Sequence, residues 1–327
     1  MIISKTPMRM SFAGGGSDLR SYYKHGFGAV VSTSLDKYVY ITVNEKFADI
    51  FRVGYSITEH VKNVDDIKHN LVREALKTTK VIKPGVDIVY MSDMLPAHEG
   101  SGLGASSSIL VGTLHALYAF KGKHVSAKRL AEEACEIEID KLKNPIGKQD
   151  QYAAAYGGFN YIKFNSDESV KIEPLIFKKS IKNELNENML LFYTGINTRS
   201  DTILTEQNEK TEKNSKILDK MVELTEEIRD ALYNEDLLEF GNILHKGWEY
   251  KQKLASKITN PIINEYYTKA RKAGAIGGKI LGSGGGGFLL IYCEKKYKTK
   301  VRETLKQLKE TSFNFGTQGS RIIYVDD

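Results

Sequence analysis

Residues 96–108 read Pro96-Ala97-His98-Glu99-Gly100-Ser101-Gly102-Leu103-Gly104-Ala105-Ser106-Ser107-Ser108, and an apolar segment of helical length runs on from Ala105 to Phe120. Glycines ahead of a helix start leave the first-turn N–H groups free to face an anion, and the helix dipole adds partial positive charge at that point. Small side chains let phosphate oxygens reach the backbone, and the hydroxyls of Ser106, Ser107 and Ser108 offer ligands to phosphate or to hydrated Mg²⁺. The stretch has no GxxxxGK followed by Ser or Thr, so it is not a P-loop. Taken alone, it is equally a Gly/Ser loop that only caps a helix.

Glycine is concentrated elsewhere too. Residues 14–16, 100–104 and 274–287 hold half of the chain's 28 glycines, and such clusters mark backbone that turns sharply or comes close to something else. The last cluster, Gly282-Ser283-Gly284-Gly285-Gly286-Gly287, satisfies GxGxxG, but a dinucleotide site needs a helix next. The chain continues instead with the strand-like Phe288-Leu289-Leu290-Ile291-Tyr292-Cys293, so the cluster reads as a turn between two strands. A third constellation, Gly147-Lys148-Gln149-Asp150-Gln151, follows Pro145 and opens a short helix. Asp150 is there a candidate functional carboxylate or simply a capping acid.

The rest of the chain is ordinary for a globular protein. Its 327 residues are 41% hydrophobic and 27% charged, enough for two domains or one large one, and collagen-like, disulfide-scaffold and disordered readings are excluded. A net charge of +6, mixed in sign along the chain, favours a small anionic partner over nucleic acid. No apolar run is long enough to span a bilayer or to act as a secretory leader, and Cys135 and Cys293 read as buried thiols in a reducing compartment; the expected location is cytoplasmic.

Periodicity predicts strands over 37–43, 86–91, 159–164, 170–175, 189–193, 288–293 and 321–325. It predicts helices over 64–79, 105–120, 126–143 with Ser126 as N-cap, 147–156, 200–233, 236–256, 262–273 and 295–310, with 178–188 as a linker. The pattern is α+β, without repeats.

Taken in order, the motifs resemble those of the GHMP kinase superfamily, which includes galactokinase, homoserine kinase, mevalonate kinase and phosphomevalonate kinase. They are Pro7-Met8-Arg9-Met10-Ser11-Phe12-Ala13-Gly14-Gly15-Gly16-Ser17-Asp18-Leu19, then Gly102-Leu103-Gly104-Ala105-Ser106-Ser107, then Lys279-Ile280-Leu281-Gly282-Ser283-Gly284-Gly285-Gly286-Gly287. The resemblance spans almost the whole chain. The first motif, residues 147–158 and Thr194-Gly195-Ile196-Asn197-Thr198-Arg199 look like the branch of bacterial heptose 7-phosphate kinases and fucokinase-like enzymes. One departure is Ala105, where many members carry the first serine of the loop.

The resemblance implies a two-domain α+β fold, an N-terminal domain like the ribosomal protein S5 domain 2 fold over 1–180 and a ferredoxin-like C-terminal domain over 181–327. It implies ATP-dependent phosphorylation of a sugar phosphate at its anomeric hydroxyl, with heptose 7-phosphate as the acceptor. A fucokinase-like kinase of an unphosphorylated sugar and a non-catalytic sugar or nucleotide sensor are the alternatives. ATP phosphates are expected on Gly100, Gly102, Leu103, Gly104, Ala105, Ser106, Ser107 and Ser108, and Mg²⁺ on Ser106 and Glu138, with Glu136 the alternative acid. Asp150 is expected beside the attacking hydroxyl, as a base or as the group that orients it, with Lys148 either lowering the Asp150 pKa or steadying the transferring group. The sugar is expected between Arg9, Ser17, Asp18, Arg199 and the backbone of Gly284, Gly285 and Gly286.

Overall fold

Most strand-like and helix-like segments fold as their patterns predict, and where they do not, contacts with residues distant in sequence account for the difference. The computed structural model describes residues 1–94 and 102–326. Its strands are β1 (Ile2–Ala13), β2 (Phe27–Glu45), β3 (Phe51–Gly54), β4 (Thr58–Val61), β5 (Val86–Ser92), β6 (Phe159–Asn165), β7 (Val170–Pro174), β8 (Met189–Tyr193), β9 (Gly277–Ile280), β10 (Phe288–Tyr292), β11 (Lys309–Glu310) and β12 (Arg321–Val325). The helices are α1 (Arg20–Tyr23), α2 (Asn70–Thr79), α3 (Ala105–Phe120), α4 (Ala127–Cys135), α5 (Gln149–Tyr156), α6 (Lys179–Glu187), α7 (Ser200–Glu209), α8 (Ser215–Tyr233), α9 (Leu237–Lys251), α10 (Pro261–Lys272) and α11 (Lys298–Thr304).

Among the described residues, one sheet runs β12-β1-β2-β5-β3-β4, with β6 also paired to β2 and β7 to β6. Strand β2 is long enough to change partners: its 39–45 half pairs with β5 and its 27–33 half with β6. Between Pro7 and Arg9 the β1–β2 register shifts, and such bulges re-aim the side chains beside them. The second sheet, β11-β8-β10-β9, is antiparallel, and β9 and β10 are joined by the glycine turn, a strand-to-strand connection as its sequence reads.

Helix α3 is buried on nearly all sides because its sequence is apolar all round. It lies on β1 and β2 with α2, α4 and α5 about it, and Gly112 lets it approach closely, since a Cβ there would meet Thr6 Oγ1 at 2.8 Å. Its N-terminus therefore points from a rigid base. The architecture is α+β, as expected. The division expected at residue 180 falls inside α6, and β12 rejoins the first sheet beside β1.

The expected linker over 178–188 is instead helix α6, for which Leu185, fully buried, and the partly buried Ile181 supply the apolar face. Helix 64–79 is shortened to Asn70–Thr79, because the Glu59 carboxylate accepts the N–H groups of Lys68 (2.6 Å) and His69 (3.0 Å) and fixes non-helical backbone there. The expected 200–233 helix breaks into α7 and α8, where Asn214 donates to the Leu254 carbonyl at 3.0 Å. The expected 295–310 helix ends at Thr304, after which β11 pairs with β8. Ser126 caps α4 by accepting from the Arg129 N–H at 3.2 Å.

Candidate active site

Arg9 is where the site begins. Beside the β1 bulge its N–H donates to the Leu103 carbonyl (3.0 Å). Its side chain, buried, donates Nε to Asp150 Oδ1 at 2.7 Å and Nη2 to Oδ2 at 2.8 Å, and Nη1 donates to the Gly102 carbonyl. A bidentate fork fixes a carboxylate in both position and plane. Asp150, in the first turn of α5, keeps part of its side chain open to solvent. The glycine loop passes directly over it: a Cβ on Gly104 would lie 3.3 Å from Asp150 Oδ2. Gly102 and Gly104 both have positive φ, +78° and +72°, which glycine adopts without strain. The loop, the start of α3 and the Asp150 carboxylate thus face one another.

On the other side of the loop stands Glu138. It lies where α4 continues into one wide turn, Glu136–Lys141, with the Leu142 N–H bonded five residues back to Ile137. Such π-type turns rotate the following side chains relative to a regular helix. Glu138 is 1% exposed and accepts from Ser106 Oγ (3.1 Å), Ser107 Oγ (2.7 Å) and Gln151 Nε2 (2.6 Å). Burial, added to by the nearby Asp150 charge, pushes its carboxyl up to about 7 despite these donors. Among the described residues no cation forms an ion pair with it. Glu136, the alternative acid, turns outward to Lys141 at 3.2 Å.

The first glycine motif is tied to the same place. Asp18, 3% exposed, accepts from the Gly16 N–H (2.9 Å) and the Gln149 N–H (3.4 Å), and a Cβ on Gly147 would strike its Oδ2. Burial and the Asp150 charge raise the Asp18 carboxyl above its usual range. In the third cluster, Gly282 packs on Gly102 so closely that a Cβ on Gly282 would lie 2.4 Å from the Gly102 Cα. The three glycine regions, far apart in sequence, meet around Arg9 and Asp150.

Several expected ligands face elsewhere. Ser17 is fully buried; its hydroxyl shares its one proton between the Gly14 and Ala29 carbonyls and accepts from the Ala29 N–H, so it staples the motif to β2 and is closed off from a sugar. Ser108 is likewise turned inward, to the Pro7 (2.9 Å) and Gly104 (3.0 Å) carbonyls, rather than toward a phosphate. Lys148 turns away from the Asp150 carboxylate, placing its ammonium on Glu168 and over the Tyr23 ring. Arg199 is largely exposed and pairs with Asp201 at 2.8 Å. In the 284–286 segment, the Gly285 N–H is held by the Ile258 carbonyl at 2.7 Å, and Gly286 packs against Ile196 and Thr198. Ala105 and Ser106 lie in the first turn of α3, Ser106 exposed. Gly100 lies outside the described residues.

Two groups escaped the sequence reading. Lys251, at the end of α9, and Lys279, on β9, are each 4% exposed. Lys251 donates to the carbonyls of Ile280 (3.3 Å) and Gly282, and Lys279 to that of Phe12 (3.3 Å). Lys279 stands at the head of the third motif, a signal that was available; Lys251 sits in a charged helix with nothing local to mark it.

Comparison with known proteins identifies the family of the chain. Residues 69–158 match the GHMP kinases N terminal domain and residues 228–311 the GHMP kinases C terminal domain. The chain is 30% identical to D-glycero-alpha-D-manno-heptose 7-phosphate kinase of Campylobacter jejuni, over 97% of each chain. It is 24% identical to the L-fucokinase/L-fucose-1-P guanylyltransferase of Bacteroides fragilis, over 94% of this chain and 36% of that protein. The crystal structure of a D-glycero-D-manno-heptose 1-phosphate kinase from Bacteroides thetaiotaomicron superposes with a TM-score of 0.83 at 26% identity, covering all of both chains. No described helix is long and apolar enough to cross a membrane.

Proposed function

The chain belongs to the GHMP kinase family as a sugar kinase, an ATP-dependent phosphotransferase with an alcohol acceptor, and from that premise we propose that it phosphorylates the anomeric hydroxyl of a heptose 7-phosphate to give the 1,7-bisphosphate. The near full-length likeness to the Campylobacter enzyme carries the choice of acceptor. The geometry supports the chemistry: a glycine loop and helix start suited to phosphates lie over a carboxylate suited to a hydroxyl.

In this reading ATP phosphates rest on residues 102–107, where Ala105 adds no hydroxyl and the loop's oxygen ligands are Ser106 and Ser107. The sugar lies against the side of Asp150 that is open to solvent. Phosphoryl transfer is governed chiefly by positioning and by charge stabilisation. With both carboxylate oxygens gripped by Arg9, Asp150 chiefly orients the hydroxyl, and its demand as a base is eased because an anomeric hydroxyl is more acidic than an ordinary alcohol. Asp18 acts by holding the first glycine motif to the start of α5. Arg199, exposed just ahead of α7, is the residue we assign to a distal phosphate, exchanging Asp201 for it on binding.

Ser106 and Glu138 fit Mg²⁺. They are two hard oxygen donors 3.1 Å apart, and a carboxyl pushed up to about 7 by burial is what a cation would return to the charged form. When bound, Mg²⁺ would neutralise charge on the phosphates; the protein's part is to hold the loop and the carboxylate in register. The two free, buried cysteines fit a cytoplasmic setting, and the acceptor and ATP are the partners we assign.

The test is ADP release over a panel of sugars, with the product read by ³¹P NMR. Turnover of heptose 7-phosphate with a new anomeric phosphate is expected. Turnover of neutral sugars such as fucose without heptose 7-phosphate would replace the reading with the fucokinase-like one. ATP binding without turnover of any sugar would favour a sensor.

A further inference from the structure

A buried lysine without a carboxylate partner is costly, and its Nζ must then find its hydrogen-bond acceptors among backbone carbonyls. Lys251 fits that description. Helix α9 lies flush on β9, where a Cβ on Gly277 would lie 2.1 Å from the Gly241 carbonyl, so the base of the lysine is fixed. Its position in the last turn of α9 also suits a cation. Its Nζ donates to two backbone carbonyls, Ile280 and Gly282, at the start of the glycine turn. The charged groups that act on it come from four other parts of the fold: Lys279 on β9, Arg9 on β1, Asp18 after the first glycine motif and Asp150 on α5. Burial and the two cations draw its proton affinity well below the usual lysine range.

From Gly282 a chain of contacts leads to the reacting groups. Gly282 packs on Gly102, backbone to backbone; the Gly102 carbonyl accepts from Arg9 Nη1; Arg9 holds Asp150 at both oxygens. We propose that Lys251 is a positioning residue for phosphoryl transfer, fixing the phosphate loop and the Arg9–Asp150 pair through Gly282. The inference rests on the assignment of residues 102–107 to nucleotide phosphates. It does not rest on the identity of the sugar.

The experiment compares the full-length enzyme with Lys251→Met, which keeps volume and removes the donor, and with Lys251→Arg, which keeps donor and charge. Three quantities are read: ATP affinity by titration without sugar, kcat, and the KM of the sugar. For the methionine variant we expect ATP affinity to weaken about tenfold and kcat to fall about thirtyfold, while the sugar KM stays within threefold; arginine should recover most of the loss. Should the methionine variant not fold, Lys251→Gln, one bond shorter and unable to carry a charge, is expected to give the same split. ATP affinity and kcat both within threefold of the parent would overturn the proposal, and so would a sugar KM that rises as far as kcat falls, the mark of general loosening. If the parent enzyme binds ATP but turns over no heptose phosphate, the substrate reading fails while the ATP arm still judges Lys251.

Discussion

Replacing Glu138 with Gln should make the protein more stable and less active at the same time. The carboxyl is raised from 4.5 to about 7 in the folded protein. Below pH 4.5 it is protonated whether the chain is folded or not, and it contributes no pH dependence. Between 4.5 and 7 the unfolded chain gives up the proton while the folded one keeps it, so stability falls as pH rises, by about 1.4 kcal/mol per pH unit. Above 7 the full loss, about 3 kcal/mol, is present. Glu138→Gln removes that term. It also keeps the local shape, because Ser106 and Ser107 can reorient, and Gln151, whose Oε1 has no partner, can turn its amide to accept from the new side-chain N–H.

The variant should therefore gain about 3 kcal/mol over the parent at pH 8 without divalent cation, and close to nothing at pH 4.5. For a chain of this size that corresponds to a rise in Tm of roughly 5 °C. Adding Mg²⁺ should stabilise the parent at pH 8, less so at pH 6 where a proton competes for the same carboxylate, and should leave the variant unmoved. Chelating the cation reverses the gain. Urea unfolding at the three pH values, with and without Mg²⁺, measures all of this without any sugar. A Gln variant less stable than the parent at pH 8 refutes the buried-charge argument, and one stabilised by Mg²⁺ as strongly as the parent refutes the assignment of the metal to Glu138.

Three further outcomes can be checked. Asp150→Asn should reduce turnover by a factor on the order of 10² or more while nucleotide affinity, measured by titration, stays nearly intact; activity surviving within a few-fold would remove Asp150 from the transfer step. Gly102→Ala places a Cβ 2.5 Å from the Leu281 carbonyl at a φ of +78°, so the chain must shift at the loop, and denaturant unfolding should register a loss of about 2 kcal/mol or more alongside a fall in ATP affinity. Ser126→Ala removes only the α4 cap and should cost about 1 kcal/mol in the same assay with kcat unchanged.

What was legible in the sequence, and what was not, divides by the range of the forces concerned. The strand-to-strand nature of the 282–287 turn followed from the residues flanking it, and the Ser126 cap from a side chain bonding three residues on; both are local. Helix α6 was missed because a short segment with few apolar residues is helical only when something covers Leu185, and nothing within the segment announces that cover. The expected 200–233 helix was broken by Asn214 reaching the Leu254 carbonyl, a bond across forty residues of chain.

The site divides in the same way. Glycine-rich motifs mark where the backbone must come close, so the three clusters were visible, but which side chain faces the opening was not. Ser17 and Asp18 are adjacent, and both are spent on backbone groups: Ser17 on β2 and Asp18 on the start of α5. Lys148 and Asp150 stand two positions apart at the start of one helix, where side chains do not share a face, so the nearest cation in sequence went to Glu168. The cation that Asp150 does use, Arg9, comes from a strand 141 residues earlier, aimed by a bulge that only pairing with β2 creates. Arg9 is thus fixed from the β1 side by its own backbone and from the far side by the loop it grips, and the loop in turn leans on Gly282 and Lys251. A reacting carboxylate oriented in this way depends on residues from both halves of the chain, and substitutions along Lys251, Gly282, Gly102 and Arg9 should therefore be non-additive in kcat, since each breaks the same line of contacts.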